Sequence, residues 1–98
     1  MIYHITDEES WLLAVENKYY LPVAFEKEGF IHTSYLKQVD GVLERYYKNK
    51  PGLLLLHIDE SKVIAEIKYE IAPSINEIFP HIYGKLNIDA VIKITPIK

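Results

Sequence analysis

LLLLHI, residues 53–58, contains the longest apolar run of the chain and has turn residues on both sides. Asn49-Lys50-Pro51-Gly52 precedes it, and Asp59-Glu60-Ser61-Lys62 follows it. A short segment that is apolar throughout is typical of a strand covered on both faces. We therefore predict that residues 53–58 form a strand in the middle of a sheet, with the rest of the chain packed around it.

The segments on either side of this strand differ in their hydrophobic period. Upstream, the patterns predict a strand and two main helices, at residues 2–5, 7–17 and 35–48. Downstream, alternating or extended patterns predict strands at residues 63–70, 79–83 and 89–95. Strands that follow two helices in a run, rather than alternating with them, predict an α+β fold instead of a doubly wound parallel sheet.

The first helix carries its own start signal. Thr6-Asp7-Glu8-Glu9 has the spacing of a capping box, with Thr6 as the N-cap and Glu9 three residues later. The apolar stripe of this helix is predicted to consist of Trp11, Leu12 and Val15, facing the core.

Length and composition exclude several classes of protein. The chain has 98 residues, which is enough for one domain, residues 1–98, with a single core. Its net charge is -3 and its lysines are scattered, which argues against nucleic acid as a partner. It has no cysteine, no signal-peptide pattern and no apolar run long enough to cross a bilayer. We therefore expect no membrane association and a cytoplasmic location.

Three histidines stand out as candidate site residues. His32 lies in Glu28-Gly29-Phe30-Ile31-His32-Thr33-Ser34, and His81 lies in Phe79-Pro80-His81-Ile82-Tyr83-Gly84. His4 lies on the predicted first strand. Imidazole titrates near neutral pH, so histidines on separate strands can act together as general acids and bases. We assign the catalytic roles to His32 and His81 and a ligand-binding role to His4.

A phosphate or ribose ligand would suit these residues. Protonated His32 and His81 would hold a phosphate, and Ser34 would add a hydroxyl at the start of the second helix. Tyr83 would stack on a base or a nicotinamide ring. The sequence thus predicts a small nucleotide-like ligand as the partner. Ser34 also has a simpler role open to it, as the cap of the second helix.

Two other functions remain open at this stage. His32 and His81, with Glu28 or Glu70, would supply nitrogens and a carboxylate to zinc or iron, but no two histidines have the spacing of common metal motifs. We therefore assign no metal site. A non-enzymatic interaction module is the second alternative, because tyrosine is frequent in this chain and aromatic residues are enriched at interfaces.

The two histidine phrases and the opening Tyr3-His4-Ile5 resemble the small bacterial domain-of-unknown-function 952 family over nearly the whole chain. That family is similar in fold to ADP-ribosyltransferases and poly(ADP-ribose) polymerases, whose split, mainly antiparallel sheet binds NAD. The resemblance implies that His4 and Thr6 hold the nicotinamide ribose and that the phrase from Gly29 to Ser34 surrounds the nicotinamide. It implies NAD as cofactor and ADP-ribosyl transfer or removal as the activity.

This chain departs from the pattern of the transferases at one position. They carry a catalytic glutamate on a late strand, where the similar stretch here has His81 and Tyr83. Glu70 and Glu77 are close in sequence, and neither matches that strand position. Fold similarity alone does not carry chemistry, so the resemblance implies nucleotide binding more directly than it implies transfer.

Overall fold

The apolar run at residues 53–58 forms the middle strand of a three-stranded antiparallel sheet, as predicted. The computed structural model describes residues 1–97, which form eight strands and three α-helices in an α+β arrangement. In chain order these are β1 (Ile2–Asp7), α1 (Glu8–Asn17), β2 (Tyr19–Tyr20), α2 (Ala24–Glu28), β3 (Ile31–His32), α3 (Val39–Tyr46), β4 (Leu53–Ile58), β5 (Glu66–Ala72), β6 (Glu77–Tyr83), β7 (Leu86–Asn87) and β8 (Val91–Ile97).

The strands form two separate three-stranded sheets and one short pair. The first sheet has the order β1-β4-β8 and the second has the order β3-β6-β5, both antiparallel, while β2 pairs with β7. The two sheets meet where Tyr3 and Ser34 exchange two backbone hydrogen bonds of 2.8 Å. This bridge brings the start of β1 next to the end of β3, and so brings two of the histidine phrases together.

Residues of β4 contribute to two hydrophobic clusters, because successive side chains of a strand point to opposite faces. Leu56 and Ile58 belong to a cluster that also includes buried residues of β3 and β6. Leu53 and Leu55 belong to a second cluster with residues of α3. The strand is therefore covered on both faces, which explains why its sequence shows no alternation.

The first helix differs from its prediction in two respects. Its N-cap is Asp7, whose carboxylate accepts a 2.7 Å hydrogen bond from the backbone N–H of Ser10. Thr6 is instead the fifth residue of β1, paired with Leu54. The predicted apolar stripe is also wrong, because Leu12 and Val15 are 59% and 49% exposed. The buried position of α1 is Ala14, and Trp11 is only partly buried against the core.

The second predicted helix begins later than expected. Leu36–Gln38 forms a single 3₁₀ turn, and α3 follows it at Val39–Tyr46. Tyr35 caps the turn together with Gln38, whose side chain accepts a 2.9 Å hydrogen bond from the Tyr35 N–H. Ser34 is therefore not a helix cap, because its backbone is paired with Tyr3 in an extended conformation.

The downstream strands exist, and two of the three are shifted toward the C-terminus relative to the prediction, whereas the strand predicted at 79–83 begins earlier, at Glu77. The strand predicted at 63–70 is Glu66–Ala72, and the strand predicted at 89–95 is Val91–Ile97. Within residues 1–97, no helix is long and apolar enough to span a membrane.

Candidate functional site

A cleft of about 590 Å³ lies beside β1 and β3. Three of the predicted site residues line it: His4, Thr6 and His32. The segment before α2, the start of α1 and the segment between α3 and β4 complete the walls. They contribute Asp7, Ser10, Tyr20, Pro22, Val23, Ala24, Glu28, Phe30, Tyr47, Lys50, Pro51 and Leu53, together with Ile5 of β1.

His4 is the centre of a hydrogen-bonded group at the floor of this cleft. Its Nδ1 lies 2.6 Å from the backbone oxygen of His32, and its Nε2 lies 2.7 Å from the hydroxyl of Tyr20. The Tyr20 hydroxyl is also 3.1 Å from Thr6 Oγ1. Burial lowers the pKa of His4 to about 4, and the hydrogen bond to the His32 carbonyl opposes part of that change. His4 is therefore neutral at pH 7.

The partners of His4 determine its protonated nitrogen. A carbonyl oxygen only accepts, so the Nδ1–H of His4 donates to His32, and the unprotonated Nε2 accepts from the Tyr20 hydroxyl. The Thr6 hydroxyl then donates to the Tyr20 oxygen. Burial raises the pKa of Tyr20 to about 12, which keeps its hydroxyl protonated. Every polar side-chain atom of this group has a partner, and His4 fixes the backbone of His32.

A second group of hydrogen-bonded side chains begins at His32 and extends across the other sheet. His32 and His81 are paired across β3 and β6, and His32 Nδ1 lies 3.3 Å from His81 Nε2. His81 Nδ1 donates to Glu70 Oε1 at 2.8 Å. The Tyr83 hydroxyl donates to the same carboxylate oxygen. These two hydrogen bonds hold the pKa of Glu70 below its usual value, with the Tyr83 bond as the larger cause.

An aromatic ring covers part of this second group. Phe30 stacks on His81 with ring centroids 4.0 Å apart and an interplanar angle of 17°, and its centroid lies 5.5 Å from that of Tyr83. Phe30 also lines the cleft. The Lys68 ammonium lies 4.7 Å from the centroid of the Tyr83 ring. The histidine pair is thus packed between the sheet and Phe30, with Glu70 at its outer end.

The inner end of the second group has no partner. His32 Nε2 is buried, and no hydrogen-bonding atom of residues 1–97 reaches it. A buried polar atom without a hydrogen bond costs about 1–3 kcal/mol, and such atoms are rare in native structures. This atom is the most informative feature of the site, because it belongs to a residue that lines the cleft.

His32 carries no charge at neutral pH. Burial lowers its pKa to about 4, and His81, His4 and Arg45 lower it further by their charges. The expectation that a protonated His32 holds a phosphate is therefore wrong, because the ring has no positive charge to offer at pH 7. An uncharged imidazole can instead exchange a proton with a ligand.

The other predicted site residues lie outside the main cleft. Ser34 lines a small adjoining cavity of about 30 Å³, which it shares with His4 and His32. His81 and Tyr83 lie behind His32 on β6 and, among the described residues, are not part of the cleft wall. The structure thus brings His32 and His81 together, whereas Tyr83 contacts Glu70 rather than the cleft.

Sequence reasoning missed three contributors to the site. Glu70 was considered as a metal ligand and as a match for the catalytic glutamate of the transferases, but not as a partner of His81, although its place on a strand next to the β6 histidine phrase was a usable signal. Tyr20 and Tyr47 were not singled out, because no local pattern distinguishes them from the other tyrosines of the chain. Among residues 1–97, no three His, Cys, Asp or Glu side chains are arranged to hold a metal ion.

The charged side chains of the cleft are mixed in sign. Asp7 and Glu28 contribute two carboxylates, and Lys50 contributes one ammonium group. Tyr47 provides an aromatic wall, and the Lys50 ammonium lies 5.7 Å from the centroid of that ring. A second cavity of about 400 Å³ shares Glu28, Lys50 and Tyr47 with the cleft, and His32 lies on the walls of both. The cleft therefore favours a ligand whose inserted part is neutral or cationic.

Comparisons with known proteins identify relatives of unknown function. A family model described as "Protein of unknown function (DUF952)" matches residues 5–94. Two crystal structures of protein CC0527 from Caulobacter crescentus, one of them a double mutant, are similar to this chain with a TM-score of 0.90 and 22% identity, covering 99% of this chain and 85% of that one. A solution NMR structure of CC0527 gives a TM-score of 0.84 at 22% identity, covering 99% and 84%. A search of curated proteins found no match.

Proposed function

Because the chain belongs to the DUF952 family, whose function is unknown, its activity must be inferred from the site, and we propose that it binds NAD or a related nucleotide at His32. In this proposal the nicotinamide riboside end enters the cleft. The proposal includes a relationship in fold to the ADP-ribosyltransferases. Two antiparallel sheets that meet at the Tyr3–Ser34 bridge, beside the cleft, support that relationship.

The observation that carries the proposal is the unpartnered His32 Nε2. A buried atom without a hydrogen bond lowers the stability of the protein, and this one belongs to a residue that lines the cleft. Its neighbour His4 shows that the same fold can satisfy both nitrogens of a buried imidazole. A ligand that hydrogen-bonds His32 Nε2 would remove the cost, so the site is arranged for an occupant rather than for stability alone.

The charges of the cleft identify which part of the nucleotide enters it. Two carboxylates face one ammonium group, and the two histidines on the wall are neutral, so the deep part of the cleft repels a pyrophosphate. The oxidised nicotinamide ring is both aromatic and positively charged. It fits between Phe30 and Tyr47, close to the carboxylates of Asp7 and Glu28. Lys50, the one ammonium on the wall, is the group suited to the phosphates.

The chemistry that follows is ADP-ribosyl transfer or removal, in which His32 accepts a proton. Ribose hydroxyls and an attacking hydroxyl or water are the groups that would meet His32 Nε2. His4 holds the His32 backbone in place through its 2.6 Å hydrogen bond, and Thr6 supports the Tyr20 partner of His4. His4 directly, and Thr6 through Tyr20, thus help to position the reacting nitrogen, His32 Nε2.

The test is calorimetric titration with four compounds: NAD⁺, NADH, ADP-ribose and nicotinamide. We expect saturable binding of NAD⁺, with NADH at least tenfold weaker because its nicotinamide ring is uncharged, and ADP-ribose weaker than NAD⁺. The His32→Ala variant should lose binding. The His57→Ala variant should retain it, because His57 lies on β4 and does not line the cleft.

Three results would overturn the proposal. Equal affinity for NAD⁺ and ADP-ribose would mean that the nicotinamide end is not the recognised part. Unchanged NAD⁺ binding in His32→Ala would mean that the ligand lies elsewhere on the protein. Absence of binding by all four compounds would exclude NAD and direct the search to other small molecules with a hydroxyl and a cationic ring.

An interaction module is the second candidate, and an apolar surface favours it. Leu12, Leu13 and Val15 on α1 are about half or more exposed, and Val23 is 92% exposed. Leu13 and Val23 line the same groove of about 150 Å³. If no nucleotide binds, sedimentation of the wild type and of a Leu13→Lys variant would test this surface. A larger species that the variant lacks would support it.

A further inference from the structure

We infer that Glu70 sets which nitrogen of His32 carries the proton, so that His32 Nε2 is a hydrogen-bond acceptor toward the cleft and the His32–His81 pair acts as one base. In this role Glu70 is a positioning residue that does not touch the ligand. The part of the inference that concerns the ligand rests on the proposed function, whereas the part that concerns the ring nitrogens does not.

The positions of the ring protons can be assigned in the order Glu70, His81, His32. A carboxylate only accepts hydrogen bonds, so the 2.8 Å contact between Glu70 Oε1 and His81 places a proton on His81 Nδ1. In a neutral His81 ring, Nε2 is then unprotonated. The 3.3 Å contact between the two rings needs one hydrogen, which must come from His32 Nδ1. A neutral His32 with its proton on Nδ1 has an unprotonated Nε2.

This arrangement explains why the unpartnered atom is an acceptor. An unprotonated His32 Nε2 can only accept a hydrogen bond, so its partner must be a group that donates, such as a hydroxyl or a water molecule. A phosphate or carboxylate oxygen, which can only accept, is rejected at that position. For the proposed nucleotide, the group that fits is a hydroxyl of the nicotinamide ribose or the hydroxyl of an attacking acceptor.

The pair of rings can take up a proton without leaving a charge on buried His32. When His32 Nε2 accepts a proton from a ligand hydroxyl, the O–H bond breaks and an N–H bond forms. His32 Nδ1 then passes its own proton to His81 Nε2, and the positive charge moves to His81. That charge lies 2.8 Å from the Glu70 carboxylate, which stabilises it. The proton taken from the ligand thus leaves the positive charge on the ring that contacts the carboxylate.

Tyr83 contributes to the orientation of Glu70. Its hydroxyl donates to the same oxygen, Oε1, that accepts from His81. Burial and charge do not fix Glu70 by themselves, because its side chain is 41% exposed. Two donors from one strand therefore hold the carboxylate over His81, and the contact with Tyr83 also accounts for the raised pKa of that tyrosine.

The first experiment is long-range ¹H–¹⁵N NMR of the histidine rings in the unliganded wild-type protein at neutral pH. We expect His32 and His81 both to carry their proton on Nδ1, with Nε2 showing the shift of an unprotonated ring nitrogen. A proton on His32 Nε2 in the wild type would overturn the inference. This measurement needs neither a ligand nor a variant.

The second experiment replaces Glu70. Glu70→Ala removes the acceptor of the His81 Nδ1–H, so the protons of His81 and His32 are no longer held on Nδ1 and can move to Nε2. We expect the ¹⁵N shifts of both rings to change accordingly. Glu66→Ala is the matched control, because Glu66 is an exposed glutamate on the same strand without a hydrogen bond to His81. It should leave both rings unchanged.

Binding of NAD⁺ links the inference to the ligand. We expect Glu70→Ala to weaken NAD⁺ binding at least tenfold while amide spectra show an intact fold. If the wild type carries the His32 proton on Nδ1 but does not bind NAD⁺, the proposed ligand is overturned and the role of Glu70 stands. Unchanged ring shifts in Glu70→Ala would overturn that role whether or not NAD⁺ binds.

Discussion

The two hydrogen-bonded groups at the cleft each contain a histidine whose pKa is lowered, and they differ in whether both ring nitrogens of that histidine have a partner. Burial lowers the pKa of both His4 and His32 to about 4. Both nitrogens of His4 have partners, whereas Nε2 of His32 has none. A pKa lowered by burial therefore does not distinguish a structural histidine from a functional one. The hydrogen-bond partners of the two ring nitrogens do distinguish them.

The largest effect that would test this contrast is the loss of the His4 ring. In His4→Ala, the backbone oxygen of His32 and the hydroxyl of Tyr20 both lose a partner inside the protein. The loss of these two hydrogen bonds and the cavity left by the ring should lower the free energy of unfolding by about 3–4 kcal/mol. Urea denaturation measures it. Tyr20→Phe, which removes one member of the same group, should cost about 1 kcal/mol.

The next largest expected effect is the dependence of the free energy of unfolding on pH. A buried histidine whose pKa falls from 6.5 to about 4 on folding binds fewer protons in the folded chain between these pH values. The free energy of unfolding therefore falls as the pH is lowered from about 6.5 to 4, and the loss ends below pH 4. For His4 the full loss is about 3 kcal/mol.

A His4 variant separates the contribution of His4 from that of His32. Burial also lowers the pKa of His32 to about 4, so His32 adds to the acid sensitivity that remains when His4 is replaced. Urea denaturation at pH 7, 6, 5 and 4.5 should show a shallower dependence on pH in His4→Gln than in the wild type. An equal dependence in the two proteins would mean that folding does not lower the pKa of His4.

Replacing His32 should have a small effect on stability and a large effect on binding. His32→Leu removes an unpartnered buried nitrogen, which is favourable, and one 3.3 Å hydrogen bond to His81, which is unfavourable. The two changes nearly cancel, so we expect the free energy of unfolding to stay within about 1 kcal/mol of the wild type. A loss as large as that of His4→Ala would show that His32 is structural too.

Much of the fold follows from the sequence because its signals are local. The apolar run of β4 identified the middle strand, since burial on both faces removes the alternation. The start of α1 was misplaced by one residue because Thr6 and Asp7 both suit an N-cap. The pairing of β1 with β4 settled that choice by extending the strand to Asp7. The two-residue strands β2 and β7 depend on contacts between distant segments and carry no local pattern.

The sequence indicated the histidines of the candidate site but not the hydrogen bonds between them. The histidine phrases indicated His4, His32 and His81, and the structure places all three within two hydrogen-bonded groups. Which of the rings keeps a free nitrogen depends on the Tyr3–Ser34 bridge and on the pairing of β3 with β6. Those contacts join residues that are far apart in the chain, 49 positions in the case of His32 and His81, so no local spacing could reveal them.

The smallest expected effect concerns His57, which provides an internal reference for the other histidines. It lies on β4, where its Nε2 is 3.0 Å from Thr95 Oγ1 and its ring packs edge-on against Tyr3 at 5.0 Å. It is part of neither histidine group. A partly exposed side chain of this kind contributes little, so His57→Ala should change the free energy of unfolding by less than about 1 kcal/mol and leave NAD⁺ binding intact. Urea denaturation and calorimetry on the same preparation measure both quantities. A large loss of binding in His57→Ala would mean that any histidine replacement disturbs the cleft, and the contrast between His4 and His32 would then lose its meaning.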